Sequence, residues 1–222
     1  MLQKKDFVEI EFTGRVKGGE VFDSNIKKDM EQLHHGHNHP VETKPMIFCL
    51  GEGMFLKGVD DFLIGKPETP ASYNIELTPD KAFGQRMPKL VQPIPSKIFR
   101  DNQLNPSVGA MFNFDGRIAK VLSVSGGRIM VDFNNPLAGK TVVYDINLTR
   151  KINDLNEKIK SFIEFLFRRE MNFSLVDGKV IIEAEKEMAK FVELFSSKFK
   201  DIFGMDLQVK EIETKEVKKT EQ

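Results

Sequence analysis

The four histidines of the chain lie together in the stretch LHHGHNHP, at residues 33–40. Imidazole side chains one or two residues apart on one loop can share a single Ni²⁺, Zn²⁺ or Cu²⁺ ion. No cysteine accompanies them and their spacing is not that of a tetrahedral zinc motif, so the stretch predicts metal affinity without selecting a metal. An exposed loop that carries histidines without binding metal stays open as the alternative. The candidate ligands are His34, His35, His37 and His39.

Nucleophilic catalysis is the second chemistry to consider. It needs a serine or cysteine beside a histidine base. Cys49, the single cysteine, lies in an apolar strand pattern, where a buried and inert thiol is the common outcome, and every histidine lies in the one tract. The sequence therefore argues against a hydrolase.

Composition also limits which partners and which cell compartment we expect for the protein. The 222 residues contain 33 basic and 33 acidic side chains, so net charge does not favour nucleic acid or an anionic membrane as partner. One cysteine permits no internal disulfide and fits a reducing compartment. The N-terminal stretch has charges where a signal peptide is apolar, and no window resembles a membrane span. We expect a cytoplasmic globular protein.

The N-terminal half predicts a compact antiparallel unit. DFVEIEFTGRVK and EVFDS flank Gly18-Gly19 as a hairpin, and residues 24–45 predict a long surface loop with a short helix at its start. PMIFCLGEG then predicts a strand and a glycine-rich turn before a short helical stretch that closes at Gly65. Tyr73, Ile75 and Leu77 alternate on one face of a further strand.

The amino-acid composition changes after Gly84. Residues 87–106 contain four prolines, a density that no helix or central strand tolerates, so a boundary is predicted here. Residues 109–134 then predict three strands joined by Asp115-Gly116 and by Ser125-Gly126-Gly127, which are tight-turn signals. This part predicts a small β-domain.

The C-terminal part predicts one more strand at 141–150 and then an α+β unit. Leu155, Ile159, Phe162, Ile163 and Leu166 recur at helical spacing. A hairpin at Asp177-Gly178 follows, then a second amphipathic helix from Met188 to Ile202 that ends at Gly204, and a strand at 206–212. The lysine- and glutamate-rich residues 213–222 are expected to be disordered.

Four segments, taken together and in order, resemble the FKBP family of peptidyl-prolyl isomerases, in particular its SlyD-like branch and the longer archaeal forms. They are GGEVFDS at 18–24, CLGEGMFLKGVDDFLIG at 49–65, ELTPDKAFG at 76–84 and NNPLAGKTVVYDINL at 134–148. The resemblance covers about residues 1–150. Each motif alone is weak, because glycine and proline punctuate every β-protein.

The resemblance implies an α+β fold, with an FKBP-like antiparallel sheet around a short helix, an inserted small β-domain and a C-terminal α+β domain. The isomerase domain would comprise residues 1–84 and 135–150, and the insert residues 85–134, which coincides with the boundary found from composition. Residues 151–212 would form the C-terminal domain, with self-association into a homodimer as its suggested role.

The resemblance also assigns residues to two sites. The apolar proline pocket would be built from Phe12, Phe22, Asp23, Met46, Phe55, Leu56, Val59, Phe83 and Tyr144. Val59 stands where many members have a tryptophan, which implies a roomier pocket floor. Phe83 stands where many have a tyrosine, and the loss of that polar anchor puts tight macrolide binding in doubt more than catalysis. Apolar residues of the insert would bind unfolded or extended polypeptide, although some of the candidates must form the core of the insert itself: Leu90, Val91, Ile94, Ile98, Phe99, Met111 and Phe112.

These assignments predict a peptidyl-prolyl cis-trans isomerase that also acts as a folding chaperone and needs no cofactor. Without the resemblance, the phenylalanines would be interpreted as ordinary core residues of a β-domain. Two other functions stay open: a non-catalytic holdase or assembly module, and a metal-storage or metal-delivery protein that uses the histidine tract.

Overall fold

The computed structural model describes residues 1–33 and 43–212. The strands are β1 (Phe7–Val16), β2 (Val21–Ser24), β3 (Met46–Cys49), β4 (Ala71–Leu77), β5 (Val91–Pro95), β6 (Met111–Phe114), β7 (Arg117–Ser125), β8 (Arg128–Asp132), β9 (Val142–Ile152), β10 (Phe173–Val176), β11 (Lys179–Glu185) and β12 (Asp206–Ile212). The helices are α1 (Lys27–Leu33), α2 (Lys57–Leu63), α3 (Ser96–Asp101), α4 (Leu155–Phe167), α5 (Lys186–Glu193) and α6 (Ser196–Phe203). No helix in the two described ranges is long and apolar enough to cross a membrane.

The first sheet is antiparallel, with strand order β2-β1-β9-β4 and with β3 paired to the N-terminal part of β1. Alternate residues of its central strands, such as Val8, Ile10 and Phe12, are buried on one face. Helix α2 packs on this face through Val59 and Leu63, both fully buried. The predicted fold class, a mixed α+β fold with an antiparallel sheet around a short helix, is confirmed.

A second antiparallel sheet, with strand order β5-β8-β7-β6, lies between β4 and β9 in the chain. Its two tight turns contain Asp115-Gly116 and Gly126-Gly127, all four with positive φ, which suits a two-residue hairpin turn. A separate small core holds it together: Phe99, Ala119, Val121, Ile129 and Val131.

The proline-rich stretch after Gly84 contains more structure than the sequence predicted. Residues 91–95 form β5 in spite of Pro93 and Pro95, and residues 96–101 form α3. Strand β5 is at the edge of its sheet and pairs with β8 alone among the described strands, so its prolines cost no ladder hydrogen bond on the open side. The prediction excluded a helix and a central strand, so an edge strand is compatible with it. The exclusion of a helix was wrong, because α3 lies in the proline-free residues between Pro95 and Pro106.

The C-terminal elements form a third sheet, in which β11 pairs antiparallel with β10 and parallel with β12. Asp154 caps α4 by accepting a hydrogen bond from the backbone N–H of Glu157 at 2.8 Å. The predicted single helix from Met188 to Ile202 is two helices, α5 and α6, which separate at Leu194 and Phe195. The prediction of one helix was wrong there because the apolar spacing continues across the break.

One core joins the first sheet to the C-terminal elements. It includes β-strand residues such as Phe7 and Phe48 together with Phe162 of α4, Val180 of β11 and Phe199 of α6. Strand β9 runs through residue 150 to Ile152, and α4 begins three residues later. The domain limits at 84, 134 and 150 stay predictions, and the tail at 213–222 lies outside the described residues.

Candidate active site

Five aromatic rings meet on the buried face of the first sheet. Phe12 lies 4.9 Å from Phe55 and 5.8 Å from Tyr144, measured between ring centroids. Phe22 lies 5.9 Å from Tyr144 and 5.6 Å from Phe83. Phe55 and Tyr144 contact each other edge to face at 5.6 Å. We call Phe12, Phe22, Phe55, Phe83 and Tyr144 the ring cluster; the structure brings all five together as the resemblance implied.

Different elements supply these rings, and local contacts hold each in place. The side chain of Asn25 accepts a hydrogen bond from the backbone N–H of Phe12 at 2.7 Å, and the hydroxyl of Ser24 donates one to the carbonyl of Phe12 at 2.9 Å. Phe83 follows a 3₁₀ turn that ends in a hydrogen bond from Gly84 N to Pro79 O at 2.7 Å. Distant parts of the sequence therefore fix one apolar surface.

The structure places three other predicted pocket residues in two different positions. Val59 is completely buried in α2, and Leu56, partly buried, occupies the cap position before that helix. Met46 lies opposite Ile10 on β3 and, with Met54 and Phe165, lines a groove between β3 and α4. Among the described aromatic pairs, Phe48 also reaches the cluster, 5.5 Å from Phe55, although the sequence interpretation treated it as core alone.

Asp23 provides the carboxylate predicted beside the rings. It is exposed on β2, yet desolvation by its apolar surroundings raises the pKa of its carboxyl, offset in part by a hydrogen bond from the Ser24 backbone. Burial raises the pKa of the Tyr144 hydroxyl, and the charge of Asp23 raises it further. At neutral pH the hydroxyl of Tyr144 is therefore protonated.

Cys49 is unsuited to nucleophilic catalysis. Its side chain is completely buried, and burial, followed by the charges of Glu52, Asp60 and Asp6, raises the pKa of its thiol to about 12. The thiolate that attacks substrates is therefore absent at neutral pH. This agrees with the prediction of a buried, inert thiol.

The predicted polypeptide-binding residues of the insert differ in exposure. Ile98 and Met111 are 44% and 55% exposed, whereas Leu90, Val91 and Ile94 are partly buried. Phe99 is 1% exposed and contacts Phe112 at 5.4 Å inside the insert core. Phe99 and Phe112 are thus among the candidates that form the core of the insert, to which the inner faces of α3 and β6 contribute.

The outer face of the insert sheet carries apolar residues that the sequence interpretation missed. Ile118 is 60% exposed and Leu122 38%, both on β7. The alternation over residues 118–122 of β7, with Ala119 and Val121 buried, was the signal that could have identified this face.

The histidine tract lies outside the described residues, so metal binding stays a prediction. In ranges 1–33 and 43–212, no three His, Cys, Asp or Glu side chains are placed to hold a metal ion.

Comparison with known proteins supports the class of protein that the sequence motifs resemble. Residues 92–137 match the family described as FKBP26, IF domain. The short-type peptidyl-prolyl cis-trans isomerase of Methanocaldococcus jannaschii is 28% identical over 155 residues, which are 70% of this chain and 94% of that protein. The FKBP-type 16 kDa peptidyl-prolyl cis-trans isomerase of Escherichia coli K12 is 36% identical over 111 residues, 47% of this chain and 72% of the relative. The FKBP-type peptidyl-prolyl cis-trans isomerase SlyD of Aeromonas hydrophila is 29% identical over 145 residues, 64% of this chain and 60% of the relative.

The first sheet carries a ring-lined site, and a second β-sheet is inserted in the chain between its strands β4 and β9. This is the class of protein that the sequence motifs resemble. The sequence relatives make the assignment specific. The chain belongs to the FKBP-type peptidyl-prolyl cis-trans isomerase family, and the predicted family is confirmed.

Proposed function

We propose that the chain catalyses cis-trans isomerisation of X-Pro peptide bonds in unfolded or partly folded polypeptides, at the ring cluster. The observation that carries this proposal is the meeting of Phe12, Phe22, Phe55, Phe83 and Tyr144 beside the carboxylate of Asp23. Membership of the isomerase family gives it independent support.

The chemistry suits such a surface. Rotation about the X-Pro bond crosses a barrier of about 18–20 kcal/mol because the planar amide loses its resonance. No covalent bond forms or breaks, so neither a nucleophile nor a metal is needed. The twisted amide has less charge separation than the planar one, so an apolar site that excludes water favours it over the ground state.

The test is the rate of proline isomerisation in a short peptide, measured by NMR exchange, for wild type and for Phe22→Ala. Removal of this ring opens the cluster between Tyr144 and Phe83, and we expect kcat/KM to fall at least tenfold. Phe62→Ala is the matched control, because Phe62 is a partly buried ring that contacts Tyr73, away from the cluster. Equal activity of the Phe22→Ala variant and wild type would refute the pocket.

We also propose that the outer face of the insert sheet captures extended polypeptide. Met111, Ile118 and Leu122 form an apolar surface there, beside Lys120 and next to the loop at 134–138. Gly139, just after that loop, donates from its backbone N–H to the carbonyl of Gly84 at 2.8 Å, so the loop is anchored to the residue that follows Phe83.

The double substitution Met111→Ser and Ile118→Ser tests this surface. We expect it to slow proline-limited refolding of a full-length protein substrate far more than isomerisation in a short peptide, because only the long chain contacts both sites. Val176→Ser, a comparably exposed apolar residue on β10, is the control. Equal losses on both substrates would contradict the proposal. A holdase without catalysis would show capture with no peptide activity.

We further propose that the C-terminal unit binds a second copy of the chain. Its surface exposes Phe191 and Leu194, 44% and 75%, in and just after α5. The variant Leu194→Glu should shift sedimentation velocity from dimer to monomer, and a monomeric wild type would refute the proposal. Substitution is a better test than truncation at residue 150, because the C-terminal elements complete the shared core.

A further inference from the structure

Gly14 lies at the centre of a row that crosses three strands. It is directly opposite Tyr144 on β9 and opposite Asp23 on β2. Residues opposite each other in antiparallel strands have side chains on the same face of the sheet. Asp23 and Tyr144 therefore flank a position that carries no side chain.

The ring of Tyr144 uses the space that this glycine leaves. A Cβ atom at position 14 would be 2.8 Å from Cζ and 2.9 Å from Cε1 of Tyr144, and 3.1 Å from Cζ of Phe22. These separations are far below the 3.5–4.0 Å optimum for carbon atoms. The backbone φ of Gly14 is not positive, so an alanine would meet no backbone strain there. Glycine is thus required by the two rings and not by the chain conformation.

Tyr144 supplies the one hydroxyl of the ring cluster, since the other four rings are phenylalanines. The hydroxyl makes no hydrogen bond with a described residue. Tyr144 is 1% exposed as a whole, yet the only fully buried side-chain N or O atom without a partner in the described ranges is Asp60 Oδ1, so the hydroxyl of Tyr144 keeps a small accessible surface. It remains protonated beside Asp23, as argued above, and is therefore a donor.

We propose that the Tyr144 hydroxyl donates a hydrogen bond to a carbonyl oxygen of the bound X-Pro segment, and that Gly14 is the positioning residue that holds the ring in place for it. This inference rests on the proposed isomerase function of the ring cluster. It adds a donor and a positioning residue to a surface that is otherwise apolar.

The physical reason is the cost of removing a carbonyl from water. An amide oxygen that enters a ring-lined site loses its water hydrogen bonds, which is unfavourable unless a donor replaces them. A donor fixed by sheet register and ring packing needs no rearrangement when the amide twists. The other potential partner, Asp23, carries no proton to donate when ionised, so it can orient the hydroxyl by accepting from it but cannot replace it.

The first test removes the hydroxyl and keeps the ring. We expect Tyr144→Phe to lower kcat/KM in the short-peptide assay about threefold to tenfold, the range that one neutral hydrogen bond supports. Tyr73→Phe, the only other tyrosine, is the control and should be as active as wild type. Unchanged activity of Tyr144→Phe would overturn the inference while leaving the isomerase function intact. An inactive wild type would instead refute the function.

A spectroscopic test does not depend on turnover. The chain has no tryptophan and two tyrosines, so in the Tyr73→Phe protein Tyr144 alone gives the tyrosine absorption. A saturating proline-containing peptide should shift this band to longer wavelength if the hydroxyl donates to it. Absence of a shift at saturation, established by isothermal titration, would overturn the inference.

The role of Gly14 is tested by Gly14→Ala alone and combined with Tyr144→Phe. We expect Gly14→Ala to lower kcat/KM about tenfold by displacing the ring of Tyr144. The double variant should have a kcat/KM no lower than that of the less active single variant. Losses that multiply in the double variant would show that Gly14 acts independently of the hydroxyl and would overturn its role. If Gly14→Ala does not fold, the Tyr144→Phe and absorption tests still decide the donor.

Discussion

The ring of Phe7, in β1, stacks on the ring of Phe203, in α6, with centroids 5.7 Å apart and planes 28° apart. Phe203 also contacts Phe162 and Phe199 at 5.6 Å. The first strand of the isomerase sheet is thus covered by the C-terminal unit. This contact explains why both parts belong to one core.

The first prediction concerns this contact. Phe203→Ala should lower the free energy of unfolding by about 2–4 kcal/mol, because it removes a partly buried ring and leaves a cavity against Phe7. Urea unfolding followed by circular dichroism measures the change. Phe191→Ala is the matched control, since Phe191 is 44% exposed and contacts rings of the C-terminal unit alone. An equally small loss in both variants would contradict a shared core.

A second prediction concerns an ion pair between the same two parts. Lys198 of α6 donates to Glu52 at 2.7 Å, and the Glu52 side chain is 8% exposed. Lys198→Met leaves this carboxylate buried without a cation, so we expect a loss of about 1–2 kcal/mol in unfolding free energy. Lys210→Met, which breaks a more exposed pair with Glu183, should cost much less, because solvent screens that pair. Equal costs would show that the burial of Glu52 has no consequence.

Local sequence signals predicted most of the fold because the features concerned are local. Alternation predicted β1 and β4, and Asp115-Gly116 and Asp177-Gly178 predicted tight turns with positive φ, as the structure has them. The break between α5 and α6 and the edge strand β5 were missed. Both depend on tertiary surroundings, which decide where an apolar stripe can bend and which strand has an open side.

The ring cluster could not be found from spacing, because its members come from five distant segments and each alone matches an ordinary core residue. Only ordered motifs shared with a family connected them. Gly14 was missed altogether, although a glycine within an alternating strand is a known signal for close approach. Spacing also could not separate the inner and outer faces of α3, so it left open which apolar residues of the insert, such as Phe99, form its core.

The third prediction concerns the histidine tract. We expect a Ni²⁺ titration, followed by calorimetry, to show binding that is lost when His34, His35, His37 and His39 are all replaced by alanine. Isomerase activity on a short peptide should change little with added metal or with chelator, because rotation of the amide requires no metal. An activity that depends wholly on the ion would contradict the proposed chemistry. Binding by the alanine variant would place the metal elsewhere.

The last prediction follows from Asp60 of α2. Asp60 is 4% exposed, and its Oδ1 has no partner among the described residues. Burial raises the pKa of this carboxyl from 3.8 to about 6, with a hydrogen bond from Gly51 opposing the rise and Asp61 and Glu52 adding to it. The folded protein therefore binds this proton more tightly than the unfolded chain.

The sign of the pH effect follows from linkage. A group whose pKa is higher in the folded state causes stability to fall as pH rises between the two pKa values, here from about 4 to about 6. The penalty is absent below this window and complete above it, at about 2–3 kcal/mol. Asp60→Asn, a neutral isostere, should raise the unfolding free energy at pH 7 and flatten its pH dependence in the window. Asp101→Asn, at an exposed aspartate of α3 in the insert, is the control, and urea unfolding at several pH values between 4 and 7 measures both. If the profiles of Asp60→Asn and wild type run parallel from pH 4 to 6, Asp60 is not the group that titrates there.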